Sequence, residues 1–294
     1  MPGFISKIQH KNYEKGEFSD EQSRSLDDTI NLIKTFPWDN ERTLTDVQLT
    51  GPSITIQGEQ VDYLKIGLYF NGKYCLYYLD KDNHLYEYHA ADITEACKIV
   101  ADFFAGQLDL KNFDKHFFNI GNKPHFLTSS FEYQITFKKI IRFVLPLGIP
   151  FFAVLIMILE TTKESRQAAL YVALFLFVLT IVFVLAYLSF GVFSGHDNYL
   201  QISKGNDSFS FGYTEKGIRS YEKKDVQKVI TYISSSRGNR NGATGFKICF
   251  KNGESIKFSS FLISETALRR KFSNNMDDLY VPFEPEFKSF FSMI

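Results

Sequence analysis

The distribution of apolar positions divides the chain into three blocks. Between Phe143 and Leu159 every residue is uncharged and most are apolar, and Ala168 to Phe193 carries no charge at all. A bilayer core is crossed by ~20 helical residues, so the two runs predict a transmembrane helical hairpin over 140–193. A helix of a soluble domain keeps a polar stripe, and the second run has none. The segment Glu160–Gln167 between them is too polar for hydrocarbon. Pro146 and Pro150 share one face of the first run and predict a kink. Neither run contains an ionisable residue, which argues for an anchor rather than a transport path.

Upstream of the hairpin the apolar pattern alternates between helical and strand periods. Ser19-Asp20-Glu21-Gln22 reads as a capping box for a helix carrying Leu26, Ile30 and Ile33 and stopped by Pro37. The stretches LTDVQLT, SITIQGE, YLKIGLYF, KYCLYYL and HLYEYHA then predict strands. Asn71-Gly72 predicts a two-residue hairpin with Phe70 opposite Lys73. That register sets Leu64, Ile66 and Leu68 beside Leu79, Tyr77 and Cys75, and puts Lys65, Gly67 and Tyr69 with Tyr78, Leu76 and Tyr74 on the other face. Asp92–Glu95 is a second capping pattern, followed by the stripe Ile93, Ala96, Cys97, Val100, Phe103 and Phe104. An α-β-meander-α domain is expected over 14–125, after a disordered 1–13 and before a linker at 126–139. Helices cover one sheet face, and the other offers Tyr69, Tyr74, Tyr78, Tyr86 and Tyr88 as protein-binding candidates. Plain β propensity accounts for the same tyrosines equally well.

Downstream, YLQIS, DSFSFGYT, GIRSYEK, VQKVITYIS, GFKICF and SIKFSS predict strands, with a turn at Lys251-Asn252-Gly253-Glu254. Ser264 caps a helical stretch with Leu268 and Phe272, and Phe287, Phe290, Phe291 and Ile294 recur at helical spacing in the tail. The segments Phe211–Ile218, Lys223–Ile230 and Gly245–Phe250, with Asn252-Gly253, resemble the bacterial pleckstrin-homology-like (PH-like) domain. A membrane hairpin followed by such a domain is similar to bacterial membrane proteins of that type, and the likeness covers about residues 140–275. The resemblance implies a small β-barrel or sandwich with a terminal helix over 197–294. It implies neither catalytic residues nor phosphoinositide affinity. The whole chain is thus expected to be α+β, with the N-terminal domain, the hairpin and the PH-like domain in that order.

Charge sharpens this division. The chain has 33 Lys and Arg against 33 Asp and Glu, yet residues 1–137 carry a net −7, residues 138–193 a net +3 and residues 194–294 a net +4. An acidic front steers basic partners. In the basic back, Lys223, Lys224, Arg237 and Arg240 are the headgroup-contact candidates, the two arginines lying in the Ser-, Gly- and Asn-rich stretch 234–242. The three cysteines form no CxxC pair and predict neither a disulfide nor a zinc site, in keeping with a reducing compartment. The opening residues lack a signal-peptide core, and Lys138, Lys139 and Arg142 flank the first apolar run. Both domains are therefore expected in the cytosol, anchored to the inner (cytoplasmic) membrane.

Chemistry-bearing motifs are scarce. His84 and His89 fall on opposite faces of a strand, and Asp80, Asp82 and Asn83 lack the Gly and closing Glu of a calcium loop. There is no phosphate-binding glycine loop, no HExxH and no GxSxG. No catalytic site, cofactor, metal or nucleic-acid partner is expected. The pattern favours a non-enzymatic membrane-anchored binding protein whose acidic N-terminal domain captures a protein partner, with the bilayer as second partner. An immunity role against a toxin or a scaffold role in an envelope system both fit. The alternative is a lipid or membrane-state sensor acting through the basic PH-like domain.

Overall fold

The computed structural model describes residues 3–42, 49–118, 120–135, 171, 174–175, 177–178, 198–213, 217–234, 243–273 and 281–288. The chain divides into two units, Met1–Ser130 with Ser203–Gly205, and Phe131–Ile202 with Asn206–Ile294.

The first unit is built on a seven-stranded sheet. Its strands are β1 (Phe4–Gln9), β2 (Ser19–Arg24), β3 (Ser53–Gln57), β4 (Tyr63–Leu68), β5 (Tyr74–Leu79), β6 (Leu85–Ala90) and β7 (Asp114–Lys115), in the order β2-β1-β3-β4-β5-β6-β7. Every pairing is antiparallel. The N-terminal residues expected to be disordered thus supply β1, which lies between β2 and β3. Ser19–Gln22, expected to cap a helix, lies in β2. The cap of α1 (Leu26–Thr35) is Ser25, whose side chain accepts from the Asp28 amide. A short α2 (Trp38–Glu41) follows, and α3 (Ile93–Phe104) starts at Asp92, which accepts from the Thr94 and Glu95 amides. Glu95 reaches back to the Ala91 amide at 2.7 Å, so the first turn of α3 is held from both ends.

Helices α1 and α3 bury Ile33, Ala96, Val100 and Phe103 against Ile54, Ile56, Leu64, Ile66 and Leu76 on one sheet face. The opposite face carries a second cluster of Tyr63, Cys75, Tyr77, Leu79 and Leu85 around Phe126, which is fully buried. Phe126 comes from the segment expected to be a linker. Because both faces are covered, all six residues of β4 are buried.

The β4–β5 turn decides which residues share a face. Tyr69 N–H donates to Lys73 C=O at 2.9 Å, leaving Phe70, Asn71 and Gly72 as a three-residue loop with Asn71 and Gly72 at φ of 57° and 73°. The register is therefore Leu68 opposite Tyr74 and Leu64 opposite Tyr78, one residue away from the expected pairing. A one-residue slip exchanges the faces of a strand. Tyr74, Leu76 and Tyr78 consequently join Leu64, Ile66 and Leu68 under the helices, while Cys75, Tyr77 and Leu79 join Tyr63, Lys65 and Gly67 on the other side.

The second unit has two four-stranded sheets. The first contains β8 (Glu132–Gln134), β9 (Asn198–Gln201), β10 (Ser208–Tyr213) and β11 (Gly217–Glu222), ordered β11-β10-β9-β8. The second contains β12 (Val226–Ser234), β13 (Ala243–Phe250), β14 (Ser255–Ser259) and β15 (Phe283–Lys288), ordered β14-β13-β12-β15. Helix α4 (Glu265–Phe272) is capped by Ser264 and places Leu268 and Phe272 in a core shared with Leu200, Phe209, Val229, Phe246 and Ile248. The tail residues expected to be helical begin instead as β15, which runs parallel to β12, and Phe287 is exposed there. Residues 289–294 lie outside the described residues.

Among the described residues, no helix is long and apolar enough to cross a membrane. This corrects the expected transmembrane hairpin, because a span needs ~20 continuous helical residues. The bilayer as an integral partner, and localisation at the inner membrane, fall with it. Phe143–Leu159, the loop after it, and all of Ala168–Phe193 except Tyr171, Leu174, Phe175, Phe177 and Val178 lie outside the described residues. Those five are helical and exposed.

Candidate functional site

The five candidate tyrosines are all half-buried and do not form one free surface. Tyr74 stands edge-on to Trp38 at 5.3 Å, and Tyr78 stands edge-on to Phe103 at 6.1 Å while its hydroxyl donates to Asp62 at 3.3 Å. Burial and then the Asp62 carboxylate push the Tyr78 hydroxyl up to about 12. Tyr88 packs against Phe113 and donates to Glu95 at 2.5 Å. Tyr86 lies beside Tyr78, with the Lys115 amine 5.6 Å from its ring. Only Tyr69 belongs to the opposite side, where its ring meets His89 at 4.1 Å. Tyr74, Tyr78 and Tyr88 thus pack against the helix-covered core.

That opposite side is more polar than its burial suggests. Lys7, Thr55, Lys65 and Tyr77 stand in one cross-strand row and all four are buried. Lys65 Nζ donates to Gln9 Oε1 at 2.7 Å and to His125 C=O at 3.1 Å. Lys7 Nζ donates to Thr128 Oγ1 at 2.9 Å and lies 4.5 Å from the centre of the Phe18 ring. Thr55 Oγ1, buried between the two lysines, has no hydrogen-bond partner among the described residues. Burial, then the like charge of Lys7, pulls the Lys65 amine down to about 7, and burial lowers Lys7 as well. His125 falls to about 4, chiefly through burial and then through Lys15 and Lys65. An amine at 7 has the proton affinity of a nucleophilic lysine. At 1% exposure, Lys65 is placed to hold the sheet to the covering segment instead.

One exposed feature of this unit stands out. Immediately after β7, Phe117, Phe118 and Ile120 are 94%, 79% and 95% exposed. The Phe117 and Phe118 rings touch each other at 5.6 Å and the loop stays in water. The sequence signal is the adjacent pair Phe117-Phe118, but the pattern alone does not distinguish a buried pair from an exposed one.

In the second unit, the headgroup candidates separate. Lys223 is 3% exposed, whereas Lys224 is exposed and its carbonyl accepts from Lys251 Nζ at 2.6 Å. Arg237 and Arg240 lie outside the described residues. Lys228 is paired with Glu284 at 2.7 Å, and that carboxylate raises its pKa. His84 and His89 are likewise apart: His84 Nδ1 meets Asp80 Oδ2 at 3.0 Å in the β5–β6 turn, while His89 sits on β6.

Two sheets and a helix closing one core define a small β-rich fold in the second unit, and the sequence comparison agrees. Residues 132–271 match a family described as the PH domain. The match includes β8, so the matched region begins before the long apolar segment rather than after it. It supports the PH-like part of the resemblance and carries neither a membrane hairpin nor a bacterial origin. No curated protein and no solved structure matches the chain. PH domains are generally non-catalytic modules that bind lipids or proteins, and the match suggests a binding role.

Proposed function

We propose that this chain is a non-catalytic binding protein whose acidic N-terminal unit captures a basic protein through the loop Phe117-Phe118-Ile120. The observation that carries this reading is the near-complete exposure of three large apolar side chains on one loop. A buried aromatic side chain contributes 150–250 Å², so the two phenylalanines alone approach the few hundred Å² at which an exposed patch marks an interaction site. Transferring the three side chains onto a partner would supply on the order of 6 kcal/mol. The net charge of −7 over residues 1–137 supplies the sign of the partner, since opposite potential accelerates encounter and excludes wrong surfaces.

The test replaces Phe117, Phe118 and Ile120 together with Ser in the full chain. Immobilised wild type should retain a basic protein from cell extract, and the variant should lose it while keeping its unfolding midpoint. Retention should weaken as salt is raised. If every basic protein retained by the wild type is retained equally by the variant, the loop is not the capture surface. Parallel sedimentation with anionic vesicles reads the lipid alternative: binding there without any protein capture would transfer the function to the PH-like unit.

A further inference from the structure

We infer that the face of the N-terminal sheet opposite its helices holds a divalent transition-metal site of the zinc class. Its ligands are Cys75, Glu87 and His89, with His116 positioning the carboxylate. The site follows from the strand register. Cys75 lies directly opposite His89 and Tyr77 opposite Glu87 across β5 and β6. Glu87 lies opposite Asp114 on β7, and the His116 amide continues that ladder by donating to Leu85 C=O at 2.8 Å. Alternation then points Cys75, Glu87, His89 and His116 to one face. One thiol, one carboxylate and two imidazoles from three neighbouring strands converge there.

The distances agree with the register. Glu87 Oε1 is 3.4 Å from Cys75 Sγ and 2.9 Å from His89 Nε2, and Oε2 is 2.6 Å from His116 Nε2. The ligand atoms of Cys75, Glu87 and His89 all lie within 4.8 Å of one another. Ligands bound to zinc at ~2.0–2.3 Å in a tetrahedron stand about 3.5 Å apart, so small side-chain rotations close the set. Thiolate plus imidazole plus carboxylate suits zinc and excludes the hard, all-oxygen preference of calcium and magnesium.

A plain hydrogen-bond cluster is the competing reading, with Glu87 as common acceptor. It explains the two imidazoles, and Tyr77 hydrogen-bonds Cys75 within it, but the thiol itself is a weak donor to Glu87. It also leaves unexplained why a side chain only 1% exposed presents its sulfur to the same oxygen as His89. The metal reading uses all four groups. Cys75 forms the buried floor, and His89 and His116, with side chains 34% and 38% exposed, form an open rim through which an ion can enter. The Tyr69 ring fixes the His89 imidazole edge-on at 4.1 Å. His116 orients Glu87 as outer partners of metal ligands do. On binding, the Cys75 proton leaves to solvent and His89 carries its remaining proton on Nδ1.

The experiment titrates the metal-free full-length protein with Zn2+ against a chromophoric chelator and, separately, with Co2+ followed by absorption. One equivalent should bind, and Co2+ should show a thiolate charge-transfer band. Cys75→Ser should abolish that band, His89→Ala should weaken Zn2+ at least 100-fold, and His116→Gln should weaken it about 10–100-fold. His84→Ala, in the Asp80–His84 turn, should bind as the wild type does. Emission of Trp38, which reports the opposite core, verifies that each variant is folded. Absence of a Zn2+ equivalent, a Co2+ complex without the thiolate band, or wild-type affinity in folded His89→Ala would each overturn the site.

Discussion

Lys65 offers a direct way to measure how the buried polar row contributes to the first unit. Its amine is fully enclosed and brought from 10.5 to about 7. Below pH 7 both the native and the unfolded chain bind the proton, and the cost of burying the ammonium is paid in full. Between 7 and 10.5 the native amine is neutral while the unfolded chain still binds a proton, so stability rises with pH. Each unit is worth ~1.4 kcal/mol, which gives about 3 kcal/mol between pH 7 and 9. Lys7 shifts in the same direction and adds to the slope. Burial raises the Cys75 and Tyr77 groups, which act with the opposite sign as the unfolded chain ionises near pH 9 and above. Subtracting the profile of Lys65→Met removes them. Trp38 is the chain's single tryptophan and is buried in the core of this unit, so its emission follows urea unfolding of this unit within the full protein. At a urea slope of ~2 kcal/mol/M, the wild-type midpoint should climb about 1.5 M from pH 7 to 9 relative to the variant. Parallel profiles for the two proteins would show that Lys65 titrates normally and that the row is not desolvated.

Two further expectations concern packing. Phe103→Ala removes a 5%-exposed ring from the helix-covered core and should cost ~3–5 kcal/mol in the same Trp38 assay. Tyr74→Ala strips a ring from Trp38 and should cost ~1–3 kcal/mol, whereas an unchanged midpoint would return Tyr74 to the surface. In the second unit a Cβ on Gly212 would stand 2.4 Å from the Gly217 carbonyl oxygen and 2.8 Å from Ile218 Cα, both backbone atoms that cannot rotate away. Gly212→Ala should therefore cost ~1–3 kcal/mol by thermal unfolding followed by circular dichroism. A wild-type melting curve would refute that β10–β11 contact.

Legibility in the sequence depended on how local each signal was. The second unit was readable because its strands alternate regularly and its turns carry glycine: the six stretches read as strands are β9 to β14, and Ser264 caps α4. Strand β8 escaped because three residues, Glu132–Gln134, are too short for periodicity and pair with β9 across a long separation. Strand β1 escaped for the opposite reason. Its outward residues Lys7 and Gln9 are buried by long-range contacts to Thr128 and Lys65, so FISKIQ shows no simple alternation of solvent and core. The capping pattern at Ser19–Gln22 was a true match to a motif that tertiary pairing with β1 overrode.

The candidate sites depended on a finer quantity, the length of one turn. Asn-Gly was correctly read as a reversal between β4 and β5, but two loop residues and three loop residues give opposite faces. With the observed three-residue loop, Tyr74 and Tyr78 move under the helices and Cys75 moves to the side of Lys65. A different register, that of β5 on β6, explains why no metal site is legible in the sequence. His84 is the histidine nearest to His89 along the chain, whereas the structural neighbours of His89 are Cys75 across the ladder and Glu87 two positions back on the same strand. A cross-strand constellation of this kind has no fixed spacing to recognise. It becomes visible only once the β5–β6 register is known, and that register rests on the turn between them, where Asp80 N–H donates to His84 C=O at 3.0 Å and Asn83 adopts the left-handed conformation. Forcing Asn83 out of that conformation would therefore disturb more than the turn. It would misalign Cys75 with His89 and should weaken Zn2+ binding without touching a ligand. Asn83→Val, a β-branched residue that resists positive φ, tests this. The expected result is a loss of Zn2+ affinity in a chain that still shows folded Trp38 emission. Full affinity in a folded variant would mean that the ladder, rather than the turn, fixes the register.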